Sequence, residues 1–154
     1  MFHQRTSARV LTKCFIRTFR CTSSSAFYGV VNTQNRTLAF TNAGHNPPLL
    51  MRSNGDFVRL EAGGSVLGAF PGICFAQDEI ELHDGDRLIL FTDGLTEAVD
   101  ASNEQFGEQR LIELLHDHRN RSAGDLKEIL FNAVEEFCGN TFRDDAALMV
   151  LEIE

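Results

Sequence analysis

The sequence predicts an α+β fold, and three observations predict it. Short apolar runs separated by turn signals fill residues 27–91. Two segments of helical period, Glu108–His118 and Ser122–Cys138, then follow with no strand between them. A last β-rich run, Ala146–Ile153, ends the series. Strands grouped ahead of helices mark an α+β domain, whereas a doubly wound parallel sheet would alternate the two.

Each element has its own warrant. Phe27–Val31 and Thr37–Thr41 read as paired strands, with polar Asn32–Arg36 as the hairpin loop. Pro47-Pro48 excludes a helix interior and opens an extended run through Arg52. Asn54-Gly55, entered through Ser53, is a strong hairpin signal, so Leu49–Arg52 should pair with Phe57–Leu60. Gly63, Gly64 and Gly68 read as a flexible connection. Phe75–Leu82 alternates as a further strand. Asp84-Gly85-Asp86 turns into Arg87–Thr92, whose near-continuous apolar run predicts a strand buried on both faces. In the second helix, Ser122 with Asp125 three residues on forms a variant of the capping box. Leu126, Ile129, Leu130, Ala133, Val134 and Phe137 repeat at helical spacing, and Gly139 is placed to end the helix.

Composition bounds the function. The 154 residues suit one domain, and 43% apolar content is enough for a core. A formal net charge of −8 excludes a general nucleic-acid binder, which needs a basic footprint. The sequence has no apolar run long enough to span a membrane. Cys14, Cys21, Cys74 and Cys138 form no Cys-x-x-Cys pair, which argues against a zinc knuckle. Their scatter suits the reduced thiols of a cytoplasmic protein.

The charge is unevenly distributed. No Asp or Glu precedes Asp56, although Arg5, Arg9, Lys13, Arg17, Arg20, Arg36 and Arg52 do. Residues 1–25 therefore read as an atypical N-terminal segment, and residues 26–154 as the domain. Arg5, Arg9, Lys13 and Arg17 would share one helix face. A plain basic helix, a targeting segment, and a mis-started or degraded coding segment are the readings open for it.

Three places have residues fit for chemistry. The first is Leu88–Gly94, where a buried strand delivers Asp93 and then Gly94. An unpaired buried carboxylate is very costly, so Asp93 needs a cation, good donors or the exposed end of its strand. The alternative is an ordinary Asp-Gly turn. The second is Arg143-Asp144-Asp145, ahead of the last strand. It reads either as a solvated loop or as a carboxylate site in which only one of the two neighbours faces a given point. If the two strands are neighbours, Asp93 and Asp144 can share one hard cation such as Mg²⁺ or Mn²⁺. The third is Asn42–Pro48, where His45 is a general acid, a metal ligand, a donor to phosphate, or a histidine that hydrogen-bonds a turn.

Five segments taken in order resemble one known family. Ala39–Arg52 (AFTNAGHNPPLLMR), Gly64–Phe70 (GSVLGAF), Gly85–Ala98 (GDRLILFTDGLTEA), Phe106–Leu115 (FGEQRLIELL) and Arg143–Leu151 (RDDAALMVL) are similar to the SpoIIE-like branch of the PPM-type phosphatases. The resemblance covers about Phe27 to Glu154. It implies two antiparallel sheets stacked face to face with helices outside, an α-β-β-α sandwich. It also implies hydrolysis of phosphoserine or phosphothreonine with two Mn²⁺ or Mg²⁺ ions, and a phosphorylated anti-anti-sigma-like regulatory protein as partner.

By the same resemblance Asp93 and Asp144 match metal ligands. Gly94 follows the first ligand, and Asp145 matches a position of less defined role. Gly44, His45 and Asn46 match an architectural signature. The family also has an earlier Gly-Asp followed by Gly-His-Gly. Gly55-Asp56, Gly85-Asp86 and Gly124-Asp125 are not followed by that pattern, and Ala147 stands where threonine is usual. The sequence therefore predicts the C-terminal part of the domain, with at most one metal held and weak or no turnover. The alternative is a non-catalytic module that binds a phosphoprotein or a regulatory partner.

Overall fold

The computed structural model describes residues 23–139 and 141–154. The basic helix considered for residues 1–25 falls almost wholly outside them.

Two four-stranded sheets form the body of the molecule. In the first, β1 (Ala26–Asn32) pairs antiparallel with β2 (Thr37–Ala43). The other edge of β2 takes β6 (Asp78–Glu81) antiparallel along residues 37–40, and β5 (Gly63–Gly64) parallel at Asn42 and Ala43. The second sheet runs β4-β3-β7-β8, all antiparallel, built from β3 (Leu49–Met51), β4 (Phe57–Arg59), β7 (Arg87–Phe91) and β8 (Leu148–Glu152). Three helices complete the chain: α1 (Asp93–Thr96), α2 (Gly107–Asp117) and α3 (Ala123–Phe137).

The two-residue period of β7 assigns its side chains to two cores, as the apolar run predicts. Leu88 and Leu90 join Leu38, Phe40, Leu50 and Leu60 between the sheets. Ile89 and Phe91 face the other way and pack with Leu111, Leu115, Leu126, Leu130 and Val134 of the helices. Strand β3 divides likewise, with Leu50 between the sheets and Leu49 and Met51 beneath the helices. Burying one such side chain contributes about 1.5–3 kcal/mol.

Turns and caps form where the residues require them. The β3–β4 hairpin closes at Gly55, whose φ of +94° lies in the region open to glycine. Ser122 caps α3 by accepting a hydrogen bond from the Asp125 backbone N–H at 3.1 Å. Gly139, at φ +63°, ends that helix.

Two sequence expectations need correction. Gly63-Gly64 is not a flexible connection but a short strand, held against β2. The strand expected over Phe75–Leu82 is confined to Asp78–Glu81, because residues 75–77 do not pair with β2. Asp86 does more than mark the entry to a strand. It is 1% exposed and ion-paired to Arg52 at 2.6 Å, with the His83 N–H at 2.9 Å on the same oxygen. Those partners offset the cost of burying the charge.

Strands β1 and β8 each keep one edge unpaired among the described residues. Tyr28, Val30 and Val31 on β1 and Met149 and Leu151 on β8 are exposed. Such edges favour association. No helix among the described residues is long and apolar enough to cross a membrane.

Candidate metal and phosphate site

Strands β7 and β8 are direct neighbours, so their ends bring the two Asp-bearing loops together. Thr92 stitches them. Its Oγ1 donates to the Asp145 carbonyl at 3.0 Å and accepts from the Ala147 N–H at 2.9 Å. Its own N–H donates to the Ala147 carbonyl at 3.1 Å. Thr92 has extended backbone, and Asp93 starts the single turn of α1.

Gly94 makes the approach possible. It is buried, and a Cβ there would lie 2.5 Å from the Asp145 carbonyl oxygen. Only glycine allows the two loops to close to this distance.

The carboxylates themselves are exposed at Asp93, Asp144 and Asp145. Asp93 thus avoids the cost of burial because it stands past the end of its strand. Asp93 Oδ1 accepts from the Gly94 N–H at 3.0 Å, and Asp144 Oδ1 accepts from the Asp145 N–H at 2.8 Å. In both, Oδ2 makes no hydrogen bond among the described residues. Beside them lies a cleft of about 470 Å³, whose lining includes Gly94, Glu97, Asn103, Gln105, Arg143 and Asp144. Among the described residues, no three His, Cys, Asp or Glu side chains cluster closely enough to hold a metal by themselves.

The backbone of His45 closes a turn. The buried Asn42 amide donates to the His45 carbonyl at 2.9 Å, and its oxygen accepts the His45 N–H at 2.8 Å. Gly44, at φ +70°, lets the turn pack against Val66. His45 is not among the residues that line the cleft. Thr92 and Glu97 fall inside the Gly85–Ala98 motif without being singled out by it, whereas Asn103 and Gln105 carry no sequence signal and reach the cleft through the fold.

Replacing Thr92 by valine keeps the shape and removes both hydroxyl bonds. Stability should fall by about 1–2 kcal/mol, as two modest net hydrogen bonds are lost. Urea denaturation of Thr92→Val checks this, and an unchanged midpoint would refute the stitch.

Comparison with known proteins fixes the family. The family profile of Stage II sporulation protein E (SpoIIE) matches residues 5–154. The chain therefore belongs to the SpoIIE family of PPM-type protein serine/threonine phosphatases. That match begins further toward the N-terminus than the five motifs do.

Protein IcfG of Synechocystis sp. is 38% identical over 92 residues, covering 60% of this chain and 14% of that protein. Phosphoserine phosphatase RsbU of Bacillus subtilis is 29% identical over 126 residues, covering 81% of this chain and 37% of that protein. The chain thus spans well under half the length of these curated relatives. Among solved structures, the SiaA-PP2C domain of Pseudomonas aeruginosa superposes with a TM-score of 0.73 at 22% identity, covering 84% of this chain and 52% of that one. The phosphatase domain of SpoIIE from Bacillus subtilis gives 0.67 at 16% identity, covering 85% and 57%. These likenesses establish the fold.

Proposed function

We propose that this chain is the C-terminal, metal-binding part of a phosphatase domain that acts on phosphoserine or phosphothreonine of a regulatory protein. The family resemblance makes that protein a phosphorylated anti-anti-sigma-like factor of a partner-switching system, and the likeness to the phosphoserine phosphatase RsbU supports a phosphoserine substrate. The observation that carries this reading is the Thr92 stitch, which brings the Asp93 loop and the Asp144 loop to one place.

The donor chemistry suits one hard divalent ion in part. Asp93 and Asp144 offer exposed carboxylate oxygens, the ligand type that Mn²⁺ and Mg²⁺ prefer. Asp145 and the close approach at Gly94 support the same point. A bound ion would contribute positive charge for phosphoryl oxygens and acidify a water. The residues do not suit a second ion. No carboxylate precedes Asp56, and the described residues contain no cluster of three ligands.

Calorimetric titration with Mn²⁺ tests the metal assignment. Binding should be weak, and Asp93→Asn should weaken it by at least about tenfold, since an anionic ligand is replaced by a neutral one. Equal affinity in that variant would remove Asp93 from the site.

A further inference from the structure

We propose that Arg143 takes the phosphate of a phosphoserine or phosphothreonine side chain entering the cleft. This rests on the reading of the chain as part of a phosphatase domain and assigns a residue that sets its preference for phosphorylated over unphosphorylated protein.

Three observations carry it. Arg143 is the one Lys or Arg among the residues that line the cleft, where Glu97 and Asp144 are both acidic. Those two alone would repel a phosphate dianion. Next, most of the other arginines among the described residues are already engaged. Arg36, Arg52, Arg59, Arg87 and Arg110 are ion-paired, and Arg119 donates to the His116 carbonyl. Arg143 is exposed and makes no ion pair or side-chain hydrogen bond among the described residues. Its five donors have no partner among the described residues, and a guanidinium fork matches two phosphate oxygens at once. Last, the cleft holds neutral amide donors at Asn103 and Gln105. Asn103 sits at φ +65° in a turn organised by Asp100, whose Oδ1 accepts from the Ser102 and Glu104 N–H groups at 2.8 Å each.

Fluorescence anisotropy of the chain with a labelled phosphoserine peptide, its unphosphorylated twin and its glutamate twin tests the assignment. Excess EDTA makes the measurement independent of any metal. The phosphopeptide should bind more tightly than its unphosphorylated twin by about ten- to a hundredfold, the value of hydrogen bonds to a charged group. Arg143→Gln should reduce that preference to the level of the twin. Arg143→Lys should keep part of it, because a point charge remains and the fork is lost. Arg121→Gln should change nothing, since Arg121 lines a separate depression with Asp125 and Glu128.

Undiminished preference in Arg143→Gln overturns the proposal, and so does equal loss in Arg121→Gln. Equal displacement by inorganic phosphate overturns the assignment to a protein-borne phosphate. The Mn²⁺ titration keeps the two readings distinguishable. Metal binding that depends on Asp93, without any preference for the phosphopeptide, sinks the role of Arg143 and leaves the metal site standing.

Discussion

Fused behind a family segment that carries the Gly-Asp and Gly-His-Gly motifs, this chain should hydrolyse a phosphoserine peptide at least about 10²–10³ times faster in Mn²⁺ than the unfused chain does, the usual cost of losing one well-placed electrostatic contribution. The argument is a count of donors. Asp93 and Asp144 are the carboxylates the fold brings toward one place, and no carboxylate precedes Asp56. The three Gly-Asp pairs present lie elsewhere in the fold. Asp56 closes the β3–β4 turn, accepting from the Asn54 amide at 2.7 Å. Asp86 is buried against Arg52. Asp125 lies in the first turn of α3. None of them lines the cleft beside Asp93 and Asp144. Adding Asp93→Asn to the fusion should return the rate to the level of the unfused chain. Equal Mn²⁺-dependent rates with and without the fused segment would show that the donor count is wrong.

What the sequence made legible divides along physical lines. Most short-range signals held, the alternation over Phe75–Leu82 only at Asp78–Glu81. The near-continuous apolar run of β7 became two cores, Asn54-Gly55 became a hairpin, and Ser122 became a cap whose N–H donor is Asp125. These depend on residues near one another in the chain. The neighbouring of β7 and β8 was reached only as a condition for Asp93 and Asp144 to meet, and the register from Phe91–Leu148 to Arg87–Glu152 satisfies it. The illegible features are contacts between distant residues. The Thr92 hydroxyl reaches across 53 residues to Asp145. Asp86 finds Arg52 across 34 residues. No local pattern marks a threonine or aspartate for such a partner. The glycines of β5 misled for a related reason. Two adjacent glycines signal freedom when read locally, but here they signal a backbone approach that no side chain permits.

That approach yields the largest expected effect on stability. Gly63→Ala should lower stability by about 3 kcal/mol, the upper end of the range for overpacking. A Cβ at Gly63 would lie 2.6 Å from the Asn42 backbone nitrogen and nearer still to its carbonyl oxygen. Both obstacles are backbone, so no rotamer change relieves them. Strand β5 would have to leave β2, and with it the bonds from the Asn42 N–H to Ala62 at 2.7 Å and from the Ala76 N–H to Gly63 at 3.1 Å. Asn42 also clasps the His45 turn, so that turn would loosen as well. Two other glycines serve as controls. At Gly124 a Cβ would meet nothing closer than Ser122 Oγ at 3.8 Å. Gly124→Ala lies in α3 and should leave stability unchanged or raise it by up to about 1 kcal/mol. Gly139 has open space but φ +63°, so alanine there should cost about 1–2 kcal/mol in backbone strain alone. Thermal melts should therefore rank Gly63→Ala lowest, by about 6–12 °C below the parent for a domain of this size. A melting point for Gly63→Ala at or above that of Gly139→Ala would mean that β5 does not press against β2 as described.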